Sequence, residues 1–146
     1  MNSKERGLET FSKGYNCAQA VFSALSESIG IDRQSALKTA GAFGGGMGRN
    51  GLTCGAVTGA LMAIGYKYGK DSDGDTTSKE NTYKKVNLFF EEFKKMHGAL
   101  ECSSLVKHDV TNDVEYKKAV ESGVFKNLCP KLVESAIEIA EKILKD

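Results

Sequence analysis

Proline is almost absent from this chain, which contains one, Pro130, among 146 residues. Because a proline inside a helix removes a backbone hydrogen bond and clashes with the preceding turn, its scarcity leaves long helices possible. No segment has the sustained polar–apolar alternation that is typical of a half-buried strand. The chain is therefore expected to be all-α, a single compact bundle of about six or seven helices in one domain, residues 1–146.

An excess of either charge is also missing. Twenty Lys and Arg residues oppose 19 Asp and Glu residues, for a net charge of +1. No basic face dominates, so nucleic acid is not an expected partner. The longest mostly apolar stretch, Leu52–Tyr66, is too short and too rich in glycine to span a bilayer, and the first residues are polar and charged, unlike a secretory leader. We therefore expect a cytoplasmic protein without membrane insertion.

Capping residues, glycines and apolar periodicity divide the chain into helical segments. The longest is expected to begin at Ser78 and to end before Gly98, and the clearest begins near Cys129, where a proline follows at the first helical position. Asn16, Asp32 and Thr53 are the expected N-caps of three others. The remaining expected helices, including these three, cover approximately residues 3–12, 16–29, 32–43, 54–68, 102–106 and 113–122.

The four cysteines are the most informative residues, because each lies where a helix is expected to begin. They are Cys17, Cys54, Cys102 and Cys129, separated by 37, 48 and 27 residues, so no two are local partners. A helix N-terminus offers free backbone N–H groups and partial positive charge, which favour a thiolate. If the fold brings the helix starts together, it also brings together four sulfurs suited to metal binding or redox chemistry.

The spacing of the cysteines leaves several interpretations open. They could be small buried hydrophobic residues with no chemical role. A structural zinc site usually contains closely spaced pairs of cysteines, and this chain has none. The remaining interpretations are a cluster held by four dispersed sulfurs and a dithiol that cycles by disulfide exchange. Structural disulfides are not expected in a reducing compartment.

The motifs around the cysteines resemble those of a known family. The sequence GYNCAQAV at residues 14–21, the glycine-rich loop, CGAVTG at residues 54–59 and the single Cys102 and Cys129 follow one another in that order. Together they resemble the C-GCAxxG-C-C family, to which a redox role is assigned. The family label writes its central motif as GCAxxG, whereas this chain reads CGAxxG. The resemblance covers nearly the whole chain.

The resemblance implies that all four cysteines are the signature positions of a redox-active protein. A similar domain in split-Soret cytochromes is associated with an iron–sulfur centre. By that analogy, the implied cofactor is an iron–sulfur cluster or another thiophilic metal, with Cys17, Cys54, Cys102 and Cys129 as ligands. No C-x-x-C-H sequence occurs, so covalent haem is not expected.

Glycine is concentrated in one region, since ten of the 16 glycines lie within residues 41–69. Backbone without a Cβ atom can approach a sulfur site closely and donate N–H groups to it. Gly46, Gly48, Gly55 and Gly59 are therefore expected to contact a cofactor, with Arg49 adding positive charge. The same residues could instead form a flexible loop followed by a closely packed helix.

The leading hypothesis is a small electron-transfer protein that exchanges electrons with a redox partner protein through a metal or cluster on its four cysteines. One alternative is a thiol–disulfide oxidoreductase with a single reactive cysteine pair. Another is a non-catalytic helical interaction module in which the cysteines only pack. The sequence identifies no catalytic residue and leaves the oligomeric state open, a dimer being compatible with it.

Overall fold

The computed structural model describes residues 1–145, in which eight helices have five or more residues. The all-α prediction is confirmed, and the count is close to the predicted six or seven. The helices are α1 Ser3–Ser12, α2 Cys17–Ile29, α3 Arg33–Thr39, α4 Gly55–Tyr68, α5 Ser78–His97, α6 Cys102–Val106, α7 Asp113–Ser122 and α8 Cys129–Leu144. Two four-residue helical turns, Gly44–Met47 and Val124–Asn127, lie between them. No helix within residues 1–145 is long and apolar enough to cross a membrane.

The helix ends follow the capping chemistry of the sequence. Asn16 and Gln19 form a capping box at the start of α2, in which each side chain accepts the backbone N–H of the other residue. Asp32 caps α3 by accepting the N–H of Ser35 at 2.9 Å. Glycines in the left-handed conformation close three helices: Gly30 after α2, Gly98 after α5 and Gly123 after α7.

Two helix boundaries differ from the expectation. α3 ends at Thr39 rather than near Phe43, because the chain turns tightly there and the N–H of Phe43 donates to the carbonyl of Ala40 at 3.1 Å. At the start of α4, Cys54 rather than Thr53 is the N-cap, and no side-chain hydrogen bond caps that helix. The second difference matters for function, because it places a sulfur directly at the helix entrance.

α2 is the central helix, since α1, α3, α4 and α8 all pack against it. Its buried apolar residues are Ala18, Ala20, Val21, Phe22, Ala24 and Leu25. α8 contributes the second large apolar face, with Leu132, Val133, Ala136, Ile137 and Ala140 fully or almost fully buried. α5 covers α4 and α8 from one side, and its Phe89 and Phe93 rings stack with centroids 5.8 Å apart.

The contact between α2 and α4 depends on glycine. A Cβ atom added at Gly59 would lie 2.7 Å from the carbonyl oxygen of Ala18 and 3.1 Å from the Cβ of Val21. A Cβ atom at Gly55 would lie 2.9 Å from the backbone nitrogen of Ala18. Side chains at these positions would force the helices apart. The close approach brings the first turns of α2 and α4, each of which carries a cysteine, side by side.

We expect Gly59→Ala to lower the free energy of unfolding by about 1–3 kcal/mol, because the added methyl group meets the backbone of α2. Gly65→Ala is the matched control in the same helix, since a Cβ atom there meets nothing within 4 Å. Better helix propensity should make that variant more stable by about 0.5–1 kcal/mol. Urea denaturation measures both changes, and equal effects of the two substitutions would contradict the close contact.

Candidate cysteine site

Each cysteine lies at the start of a helix, as the sequence predicts. Cys17, Cys102 and Cys129 are the first residues of α2, α6 and α8, and Cys54 is the N-cap of α4. All four line one cavity of about 550 Å³. Cys17 is half-buried, the other three are buried, and all four are free thiols. Four positions that are distant in sequence therefore share one site.

A backbone bridge positions Cys54 and Cys102. Thr53 and Glu101, the residues that precede them, form an isolated antiparallel bridge. Across this bridge the N–H of each cysteine donates to the carbonyl two residues before the other cysteine, at 2.7 Å for Cys54 and 2.6 Å for Cys102. Cys54 and Cys102 therefore lie next to each other on the two paired segments, each directly after a residue of the bridge.

Asn16 connects the start of α2 to the glycine-rich loop. In addition to capping α2, its Nδ2 atom donates to the carbonyl of Gly41 at 3.2 Å. A Cβ atom at Gly44 would lie 2.6 Å from the Cβ of Asn16, so the loop packs directly on this side chain. These contacts hold Cys17, the next residue, at the edge of the loop.

The glycine-rich loop approaches Cys102 more closely than a residue with a side chain would allow. A Cβ atom at Gly46 would lie 2.7 Å from the Cβ of Cys102 and 2.6 Å from the backbone nitrogen of Leu52. Gly46 also has a φ of +70°, a conformation that glycine adopts at little cost. Both the space and the backbone conformation therefore require glycine at this wall of the cavity.

The residues expected to contact a cofactor separate into two groups. Gly46, Gly48, Arg49 and Gly55 line the cavity. Gly59 does not belong to the lining. It lies one helical turn beyond Gly55 and packs against α2, so its role in the structure is to allow helix contact.

Tyr116 is a cavity residue that the sequence interpretation missed. Its ring lies under the guanidinium of Arg49, with 4.2 Å between the Cζ atom and the ring centroid. The ring of Phe125 packs against Tyr116 with centroids 5.5 Å apart. No local motif marks Tyr116, because it reaches the cavity only through the packing of α7. The other large apolar lining residues are Phe11, Leu105, Val106, Val110 and Leu132.

Burial controls the pKa of two of the thiols. Burial raises the pKa of Cys54 to about 12, although the backbone N–H groups of Ala56 and Val57 act in the opposite direction. Burial also raises the pKa of Cys102 to about 11. The expectation that a helix start favours the thiolate is therefore wrong for these two cysteines, because loss of water determines the shift at both and outweighs the backbone donors at Cys54.

Cys17 and Cys129 form a pair. A hydrogen bond between the two thiols lowers the pKa of Cys129 and raises the pKa of Cys17 well above its ordinary value. Cys17 therefore acts as the proton donor and Cys129 as the acceptor, which ionises first. Since a thiolate is the reactive form, the lowered pKa favours Cys129 as the nucleophile of the metal-free pair.

A single metal ion does not fit the sulfurs as they stand. Within residues 1–145, no group of three or more Cys, His, Asp or Glu side chains is arranged to hold an ion. A zinc ion would need each of its sulfur ligands at about 2.3 Å, and no such group occurs among these residues. The donor set is nevertheless soft, since the described lining contains four thiols and neither carboxylate nor imidazole. Such a set suits a larger thiophilic group such as an iron–sulfur cluster.

We expect Cys17→Ala to raise the pKa of Cys129 in the metal-free protein, because the substitution removes the thiol that donates to it. Alkylation of Cys129 at neutral pH should become slower, and its rate should rise at higher pH than in the unaltered protein. Cys17→Ser, which keeps a hydroxyl donor, should have the smaller effect. Iodoacetamide labelling across a pH series, with mass spectrometry of each cysteine, measures these changes. An unchanged profile for Cys129 in both variants would exclude the pairing.

Comparison with known proteins agrees with the cysteine pattern. The family model C_GCAxxG_C_C, described as "Putative redox-active protein", matches residues 15–143. An uncharacterized protein of Archaeoglobus fulgidus is 28% identical over an alignment of 152 positions, which covers 99% of this chain and 94% of that protein. No solved structure matches the chain significantly. Because the family match includes all four cysteines and most of the fold, the chain belongs to the C-GCAxxG-C-C family.

Proposed function

We propose that Cys17, Cys54, Cys102 and Cys129 form one electron-transfer site that holds an iron–sulfur cluster and serves a redox partner protein. One observation carries the proposal: the side chains of all four cysteines line the same cavity of about 550 Å³. Cysteines that served only as small packing residues would not be expected to line one cavity from the starts of four different helices. Family membership supports the redox role in general.

The chain would supply the ligands and their environment. A bound cluster would provide a one-electron couple whose potential depends on charge, solvent exposure and hydrogen bonds to sulfur. Glycine backbone at Gly46 and Gly55 allows close approach to the sulfurs. The backbone N–H groups of Ala56 and Val57 lower the pKa of Cys54, in opposition to its burial. Apolar side chains such as Leu105 and Val106 limit access of water to the wall beside Cys102.

The proposal includes a cytoplasmic location. Reducing compartments keep thiols free, and a ligand set of four cysteines must be reduced before it can hold a cluster. The described cysteines are free and mostly buried, which suits that setting. The partner would be a protein able to bring its own redox centre to the mouth of the cavity.

Anaerobic reconstitution with iron and sulfide tests the cluster. We expect brown or purple protein that contains iron and acid-labile sulfide, because four thiolates bind such clusters strongly. Cys102→Ser should lower the iron content strongly. Ser104→Ala is the matched control, since Ser104 lies on the same short helix, is exposed and does not line the cavity. Colourless protein that retains four free thiols after reconstitution would contradict the proposal.

Thiol–disulfide exchange is the second candidate, and the hydrogen bond between Cys17 and Cys129 favours it. The Cys129 thiolate would attack a partner disulfide, forming a mixed disulfide and releasing one partner thiolate. Deprotonated Cys17 would then attack Cys129, forming an internal disulfide and releasing the second partner thiolate. The partner would be reduced by two electrons, and Cys17 and Cys129 would be oxidised by two.

Oxidation of the metal-free protein with oxidised glutathione distinguishes this second candidate. Exchange predicts one internal disulfide, between Cys17 and Cys129, with Cys54 and Cys102 still reduced. Peptide mapping by mass spectrometry identifies the pair. Random pairing among the four cysteines, or no internal disulfide, would remove this candidate and leave the cluster proposal unaffected.

A further inference from the structure

Arg49 is the one charged side chain among the described residues that line the cavity. The rest of the lining consists of four thiols, apolar and aromatic side chains, glycine backbone and Asn16. The ion pairs of residues 1–145 do not include Arg49, so no carboxylate in that range neutralises its charge by direct contact. Arg49 is exposed to solvent, so its positive charge lies where the cavity, whose reactive groups are sulfurs, meets solvent.

The backbone at Arg49 is unusual for a residue with a side chain. Its φ is +67°, in the left-handed region that favours glycine. Most neighbouring positions with positive φ in this loop are glycines, namely Gly45, Gly46, Gly48 and Gly51. A long charged side chain is thus present where the local conformation would be easier for glycine. Met47 has the same φ of +67°, and of these two residues only Arg49 lines the cavity.

Tyr116 holds the guanidinium in place. The Cζ atom of Arg49 lies 4.2 Å from the centroid of the Tyr116 ring, a distance typical of a cation–π contact. The ring of Phe125 packs against that of Tyr116, and all three residues line the cavity. A stacked guanidinium keeps its charge while its orientation is restricted. The contact with Tyr116 therefore keeps the solvent-exposed guanidinium beside the cavity.

We propose that Arg49, held by Tyr116, makes the cysteine cavity selective for anions. The ligand class is a small anion, such as a carboxylate, that can reach the cysteine sulfurs. The inference rests on the proposed function in one respect, namely that the thiols in this cavity are the reacting groups. Arg49 is a specificity residue in this account, and Tyr116 is its positioning residue.

Two alkylating reagents of similar size and different charge test the inference. Iodoacetate is an anion and iodoacetamide is neutral, and both react when a thiolate displaces iodide to form a carbon–sulfur bond. Because both consume the same thiolate, the ratio of their rates is independent of thiol pKa. The experiment uses the full-length, reduced, metal-free protein at fixed pH and low salt, and mass spectrometry gives the ratio at each cysteine.

Arg49→Gln should lower the ratio of the iodoacetate rate to the iodoacetamide rate by roughly threefold to tenfold, the scale expected for one charge at the solvent-exposed edge of the same cavity. Tyr116→Leu should lower the ratio as well, because it removes the ring that holds the guanidinium. Arg49→Lys and Tyr116→Phe should keep most of it. Lys79→Gln is the charge-matched control, since Lys79 is exposed in the first turn of α5 and does not line the cavity.

A ratio unchanged in both Arg49→Gln and Tyr116→Leu would overturn the inference, as would an equal fall in Lys79→Gln. Tyr116→Leu leaves the loop sequence intact, so it decides the question if Arg49→Gln does not fold. The result is also separate from cluster binding, because the measurement uses metal-free protein. A normal ratio effect in a protein that never binds iron would reject the cluster and retain the charged cavity.

Discussion

The close contact between α2 and α4 is the constraint on which the site depends. The two helices meet through Gly55 and Gly59 on one side and Ala18 on the other, with no room for a larger residue. This contact aligns their first turns and brings Cys17 and Cys54 to the same cavity. The bridge between Thr53 and Glu101 then adds Cys102, and the packing of α8 on α2 adds Cys129. The cysteine site is thus a consequence of helix packing.

Burial and charge act against each other within this site. Enclosing thiols among apolar side chains raises the pKa of Cys54 and Cys102, which opposes ionisation. Backbone donors at the start of α4 and the donor thiol of Cys17 act in the other direction. A redox site needs both properties, because enclosure excludes water while the donors stabilise added electron density.

Local chemistry made much of the fold predictable. N-caps such as Asn16 and Asp32, and the glycines that end helices, define element boundaries through contacts only a few residues apart. The position of each cysteine at a helix start follows from the same signals. The cavity itself could not be derived this way. Tyr116 reaches it through the packing of α7, and Gly59 misses it by one turn, since both placements depend on tertiary contacts.

The central claim, that four thiols from distant segments share one cavity, is tested most directly by locating the sulfur atoms. A crystal structure of the reduced protein with anomalous scattering from sulfur would measure their positions without reference to a starting model. The account predicts all four Sγ atoms on the wall of one cavity, with those of Cys17 and Cys129 in contact. Cysteine sulfurs in separate parts of the molecule would contradict it.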